Sequence, residues 1–353
     1  MAESRGDALR VLVLGASYGL LPGVKLTLAG HEVTFVGRTE EIRKMAADGL
    51  ALQIPIRRSG DVLRLATRKP GLVTPAEARP EQADMVILAM QEPQYAAPDV
   101  RALLQRVADA GVPCLSLMNL PPPPFLLRLG ISGQVTEGVF SSAPAWQGFD
   151  PDRVCNASPD PQALRMDPER PGELTVTLAS NFKAAPFVRS DDQAVLERLA
   201  RDMSRLAIAY GEGRTMPPVR MLVSSSPFVA LAKWPMLLAG NCRCVTTGAP
   251  LSIADAVHGD LAHSQRVYDA VIALVLALGA PPELLVPFSA YAKAAESLVR
   301  PSSAARALAG GALQIERIDL LVHKLMQARD LDCDVVAPIV ALIEARLAEN
   351  RAR

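Results

Sequence analysis

The first forty residues carry two features that could do chemistry. The apolar run Arg10 to Leu14 (RVLVL) opens onto Gly15-Ala16-Ser17-Tyr18-Gly19, and Arg38 follows at the end of a second strand-like run, Glu32 to Val36. Backbone N–H groups at a helix N-terminus attract phosphate, and small residues in the turn let a pyrophosphate approach closely. Gly15, Ser17, Tyr18 and Gly19 are therefore the candidate pyrophosphate contacts. Ser17 stands where the GxGxxG pattern has its second glycine, and the turn is one residue short. Arg38 lies near the ~20-residue offset at which such folds place the residue that reads the ribose. An acid there binds the 2′-OH, whereas a cation suits a 2′-phosphate. These residues point to NADP, the alternatives being a strand–helix turn that binds nothing and a solvated surface arginine.

The surrounding elements must place the turn. RVLVL has the branched apolar character of a strand buried on both faces, LLPGVKLTLAG can carry a helix, and Glu32 to Val36 reads as the next strand. Strand, glycine-rich turn, helix and strand form a βαβ unit. The alternation continues with a helix over Glu40 to Asp48, a strand over Asp84 to Ala89, a helix over Asp99 to Ala110 and a strand over Val112 to Met118. Alternating elements imply a parallel sheet with helices on both faces. VTEGVFSSA and GELTVTLAS read as strands of an antiparallel extension, followed by a helix from Asp191 to Tyr210, capped by Asp191 or Asp192. GEGRTMPPVR, Gly211 to Arg220, reads as a linker. Beyond it the pattern is helical over about 227–240, 251–258, 262–279, 286–298, 302–309, 313–329 and 334–350. The fold class is α/β: a Rossmann-like dinucleotide-binding domain over 1–213, then an all-α domain over 214–353.

The 353 residues suit two domains. Lys+Arg and Asp+Glu both number 37, so there is no electrostatic reason to expect nucleic acid as a partner. Five scattered cysteines are no disulfide framework, and Cys242-Arg243-Cys244 lacks metal-site spacing. The N-terminus has no apolar signal core, and the longest apolar run, Ala270 to Ala280, is short of the ~20 residues of a membrane span. The reading is a cytoplasmic protein with no membrane partner. Val271 to Leu278 is apolar nearly all round, so it is expected deep in its domain or at the contact of a homodimer.

Several stretches resemble the ketopantoate reductases in order along the chain. GASYGLLPGVKLTLAGHEVTFVGR is similar to that family's opening, ADMVILAMQEPQ to its strand ending in Lys-x-x-Gln, and LSLMNLPPPP to its Leu-Gln-Asn-Gly turn. NCRCVTTGAPL, Pro301-Ser302-Ser303 and Gln314 to Ile318 resemble its Asn-Cys-x-x-Asn-Pro-Leu, Pro-Ser-Ser and Thr-Glu-Ile-Asp elements. The resemblance implies hydride transfer from NADPH to a 2-keto acid. It makes Asn119 the cleft asparagine, Ser303 and Glu316 the residues that hold substrate, and Asn241 a further substrate contact. Gln94 matches the glutamine after the strand, and Gln91 stands at that element's lysine; both are carried over as cofactor contacts.

The family's catalytic lysine lies in Trp-x-Lys-x-x-x-Asn-Cys. Here the chain reads Lys233-Trp234-Pro235-Met236-Leu237-Leu238-Ala239-Gly240-Asn241-Cys242. Counted from the tryptophan, Met236 takes the lysine's place; counted from the asparagine, Leu237 does. Neither donates a proton. Lys233 is the candidate that remains, since on a helix it falls near the face of Asn241. Lys183, Tyr18, His258 and Lys293 are other possible donors that nothing in the sequence places in a cleft. Ser303 could simply cap a helix, and Glu316 could lie on a solvated helix face. Two functions follow: an NADPH-dependent reductase of a small carbonyl or imine compound, or a non-catalytic homologue that binds cofactor or metabolite.

Overall fold

The computed structural model describes residues 8–56, 60–67, 70–131, 133–159, 162–179 and 181–353. Residues 1–7, most of the polar N-terminal segment, lie outside them. The chain divides into two compact units. One comprises residues up to Met90, Gln94–Phe125 and Ala143–Pro227; the other comprises Gln91–Pro93, Leu126–Ser142 and Phe228–Arg353.

The first unit is built on an eight-stranded sheet. In chain order the strands of the unit are β1 (Arg10–Leu14), β2 (Glu32–Val36), β3 (Leu50–Pro55), β4 (Val62–Thr67), β5 (Gly71–Val73), β6 (Met85–Leu88), β7 (Cys114–Ser116), β8 (Val154–Pro159), β9 (Gln162–Leu164), β10 (Glu173–Leu178), β11 (Asn181–Ala184), β12 (Ile208–Tyr210), β13 (Gly213–Thr215) and β14 (Arg220–Val223). The main sheet runs β14-β11-β8-β7-β6-β1-β2-β5. β1 lies between two parallel neighbours, with Val11 opposite Val33 of β2 and Met85 of β6. Val11 to Leu14 are all buried. Burial on both faces explains the continuous apolar run, each side chain contributing about 1.5–3 kcal/mol. The first helices are α1 (Leu20–Ala29), α2 (Thr39–Asp48) and α3 (Pro98–Ala110).

The antiparallel extension is present, but not as the sequence implied. β8 runs parallel to β7, and the antiparallel pair is β8 with β11. GELTVTLAS forms β10, which joins a separate four-stranded sheet, β4-β3-β10-β9. VTEGVFSSA is not a strand: after α4 (Pro123–Arg128), α5 covers Gly133–Thr136, and Gly138 at φ +72° turns the backbone out of any extended path. The expected linker is also structured. It holds β13, paired with β12, and ends at β14, so the chain's last passage to the second unit comes after Pro227 rather than at the linker. The helix α6 spans Ser190–Arg205, and neither Asp191 nor Asp192 caps it.

The second unit is helical: α7 (Trp234–Met236), α8 (Ile253–His258), α9 (Leu261–Ala277), α10 (Phe288–Ala295), α11 (Ser303–Ala309), α12 (Ile318–Gln327) and α13 (Ala337–Ala352). Val271, Leu274 and Val275 of α9 are buried at helical spacing, while Leu276 is exposed. The helix therefore buries a stripe rather than its whole circumference. The expected regular helix over 227–240 is replaced by a 3₁₀ segment (Pro227–Lys233), the short α7, and a π-helical turn (Leu237–Asn241).

Candidate functional site

In the first unit, β1 is followed by Gly15, whose φ of +105° and neighbours both demand glycine. A Cβ there would lie 2.7 Å from Met90 Cγ and 2.8 Å from the Ala89 carbonyl oxygen. The Gly15 amide donates to the Val36 carbonyl (3.2 Å), tying the turn to the end of β2. Gly19 is the N-cap of α1, and the Leu20 and Leu21 amides fold back onto the carbonyls of Ser17 (3.0 Å) and Tyr18 (3.2 Å). Ser17 is exposed at this tight turn, and half-buried Tyr18 meets the edge of Phe182.

Arg38 stands where β2 gives way to α2, its side chain 83% exposed. Its guanidinium is held in a fork by Glu41, with Nε to Oε2 at 3.2 Å and Nη2 to Oε1 at 2.9 Å. Glu41 also accepts from Arg165 Nη1 (2.9 Å). Arg165 Nη2 reaches the carbonyl of Ala16 in the glycine turn (3.2 Å), and Arg165 Nε is buried with no hydrogen-bond partner among the described residues. Arg38 foremost, and Arg165 with it, hold the Glu41 carboxyl below its ordinary range, against the opposing effect of burial. Asn119 follows β7 in a bend, and its Oδ1 is likewise buried and unpartnered among the described residues. A glycine turn, an exposed cation and orphaned polar atoms fit a dinucleotide, which these residues could hold. Gln94 is exposed in the 3₁₀ turn Glu92–Ala96. No group of His, Cys, Asp or Glu suited to a metal occurs among the described residues.

The second unit gathers a different cluster. Glu92 is fully buried and accepts from Ser142 N (2.7 Å), Ser142 Oγ (2.6 Å) and Ser141 Oγ (2.8 Å). Its own amide donates to Glu316 Oε1 (3.3 Å). Burial, seconded by the charge of Glu92, pushes the Glu316 carboxyl up to about 7 against that hydrogen bond. Glu316 is not on a helix face: it lies in the loop before α12. Its neighbour Arg317 is engaged elsewhere, by Asp319 (3.0 Å) and Glu344 (2.5 Å). Gln91 is exposed beside Glu92.

The chain has one residue more between Trp234 and Asn241 than the family pattern, and the π turn absorbs it. There the Cys242 amide reaches back to the Leu237 carbonyl, five residues away instead of four. Lys233, half-buried, precedes α7, and the single helical face proposed for it and Asn241 does not exist. Ser302, not Ser303, caps α11 and donates to the Asn241 carbonyl (2.8 Å); Ser303 is exposed. Of the other donors, Lys293 pairs with Glu296 and His258 Nε2 lies 3.0 Å from the Ala292 carbonyl. Lys183 lies in β11.

Sequence reasoning passed over Glu41, Arg165, Glu92, Ser141 and Ser142. Glu41 sits three residues after Arg38 on α2, a spacing that carried the signal for one pair. The others meet only through the fold.

Residues 11–119 match the family model of ketopantoate reductase PanE/ApbA. No curated protein matches the chain in sequence. Among solved structures, a PanE/ApbA family ketopantoate reductase from Ralstonia eutropha is similar at 18% identity and a TM-score of 0.67, over 97% of this chain and 100% of that one. D-mandelate dehydrogenase, solved with NADH and anilino(oxo)acetate, is similar at 13% identity and a TM-score of 0.66, again over 97% and 100%. A dimeric ketopantoate reductase from Staphylococcus aureus matches at 10% identity and a TM-score of 0.60, over the same shares. At these identities the likeness is one of fold. No helix among the described residues is long and apolar enough to cross a membrane.

Proposed function

We propose that this chain, a divergent member of the ketopantoate reductase PanE/ApbA family over residues 11–119 and of the same fold throughout, is an NADPH-dependent reductase of a small 2-keto acid or related carbonyl or imine compound. The observation that carries this reading is the Glu92–Glu316 pair. Met236 and Leu237 leave the reaction without the family's ammonium, but burial pushes the Glu316 carboxyl up to about 7. A group whose pKa lies near the working pH is an effective proton donor. A dinucleotide held by the glycine turn would supply hydride to the carbonyl carbon. Glu316 gives its proton to the carbonyl oxygen, leaving a 2-hydroxy acid, and recovers one from solvent. Glu92, fixed by three hydrogen bonds, keeps the Glu316 carboxyl in place through its amide. Gly15, Ser17, Tyr18 and Gly19 take the pyrophosphate, and Arg38 the 2′-phosphate. In the first unit Gln94 and Asn119 line the nicotinamide half; in the second, Asn241 and Ser303 are the substrate contacts. The D-mandelate dehydrogenase of the same fold, bound to NADH and an oxo carboxylate, supports the reaction class. The dimeric relative supports a homodimer.

A second reading, a cofactor- or metabolite-binding homologue without turnover, is favoured by Met236 alone. Following NADPH oxidation across a panel of 2-keto acids and imines separates the two. Under the reductase reading a substrate is found, Glu316→Gln lowers kcat by roughly 10²–10⁴, and Lys233→Ala leaves it unchanged. Tight NADPH binding with no turnover on any member of the panel would leave the binding homologue standing.

A further inference from the structure

Arg165 belongs to no recognised motif, yet it touches both ends of the nucleotide-binding region. It follows β9 of the smaller sheet, and its guanidinium joins the Ala16 carbonyl in the glycine turn to Glu41 on α2. Glu41 in turn holds Arg38. Two guanidinium groups thus close on one carboxylate beside the residue expected to read the ribose. An arginine forms its strongest contacts with carboxylate or phosphate through several N–H groups at once. Arg165 is engaged through Nη1 and Nη2, whereas Nε is buried and unpartnered among the described residues. Leaving a buried donor without a partner is costly, so its retention calls for an acceptor that completes it.

We propose that Arg165 and Arg38 together form the clamp for the 2′-phosphate of NADPH, and that Glu41 is an internal counter-ion that the phosphate displaces. This rests on the dinucleotide reading above and adds to it a specificity residue and a gate. The charges support it. With Glu41 in place the three side chains carry one net positive charge, which neither repels nor strongly attracts a ribose hydroxyl. A phosphate dianion facing both arginines balances them, and Glu41, on the first turn of α2, is repelled towards solvent. Arg165 Nη2 keeps its hold on the Ala16 carbonyl, so the 2′-phosphate and the pyrophosphate turn are braced by one side chain. Glu41 lowers affinity for the phosphorylated cofactor, because its own ion pairs must open first.

Calorimetric titration of the intact protein with 2′,5′-ADP and with 5′-ADP, and fluorescence titration with NADPH and NADH, test this without turnover. Arg165→Gln is expected to weaken 2′,5′-ADP and NADPH about tenfold or more, the scale of lost hydrogen bonds to a charged group, and to leave 5′-ADP and NADH within twofold. Arg165→Lys, which keeps the charge without the fork, falls between. Glu41→Gln strengthens binding of the phosphorylated ligands only. Equal losses for both ligand classes in Arg165→Gln, with its melting temperature unchanged, would show a structural role and overturn the clamp. Weaker NADH binding in Glu41→Gln would make Glu41 an acceptor for the ribose 2′-OH, which also overturns it while the reductase reading stands. Wild-type protein that binds neither nucleotide removes the dinucleotide reading and the clamp together.

Discussion

The amide of Glu92 points its proton at the carboxyl of Glu316, 3.3 Å away, while the carboxylate of Glu92 is itself fully occupied by Ser141 and Ser142. Two acids are thus treated differently within one cluster. Glu92 is surrounded by donors. Glu316 receives one amide and little water, so its neutral form is favoured.

This asymmetry makes stability depend on pH. The folded-state pKa of Glu316, about 7, lies above its ordinary 4.5. Its contribution is therefore fully present below pH 4.5 and is lost as the pH rises through 7. The melting temperature should fall over that window by more in wild type than in Glu316→Gln, whose neutral amide cannot ionise. Parallel melting curves for the two proteins from pH 5 to 8 would show that Glu316 titrates normally and would weaken its role as proton donor.

Arg38→Ala should weaken NADPH by roughly 1–3 kcal/mol, the range for charge-assisted hydrogen bonds, with NADH little affected. The exposure of Arg38 sets the lower end of that range, since solvent screens the contact. Glu41 also loses its fork in this variant and retains only Arg165, so a melting curve should accompany the titration. Loss of affinity for both nucleotides alike would place Arg38 outside the ribose site.

What the sequence made legible follows from where the information sits. Gly15 to Gly19 and Arg38 are local: the chemistry lies in a turn and at the end of one strand, and Val11 to Leu14 of β1 and all of β6 are uninterrupted apolar runs because both faces are covered. Arg165 lies 124 residues from Glu41, and Ser141 lies 49 from Glu92, so no periodicity could pair them. Residues 135–143 misled because their valines and phenylalanine imitate a strand; Gly138 in the left-handed region decides otherwise. GELTVTLAS was a strand, but a strand does not declare its sheet. The π turn at Leu237–Asn241 was visible only as a contradiction between two ways of counting to the missing lysine.

That turn depends on Gly240. The Tyr291 hydroxyl donates to the Met236 carbonyl (3.0 Å), and a Cβ on Gly240 would collide with the same hydroxyl oxygen. Gly240→Ala should therefore destabilise the helical unit by about 1–3 kcal/mol, the usual cost of overpacking a filled site. Tyr291→Phe alone removes the hydrogen bond, but in the Gly240→Ala background it also removes the clashing atom. The double variant should accordingly be more stable than the sum of the two single losses implies. Strict additivity in denaturant melts would show that the alanine is accommodated elsewhere.

Lys25 supplies the last test, in the first unit. It is almost wholly buried on α1 and donates to the carbonyls of Pro217 (3.1 Å) and Val219. Burial, and secondarily the charge of Arg220, bring its pKa down from 10.5 to about 8. Between those values the unfolded chain binds more protons at this site than the folded one, so stability from Lys25 rises with pH across that window. The two carbonyls oppose removal of the side chain, because a buried acceptor left bare costs about 1–3 kcal/mol. Lys25→Met exchanges one effect for the other: it abolishes the titration and strands the carbonyls. Measured from pH 7.5 to 9.5, the difference in melting temperature between wild type and Lys25→Met should widen in favour of wild type as the pH rises. A constant difference would mean that the ammonium remains charged throughout, stabilised by the carbonyls of the segment that leads into β14.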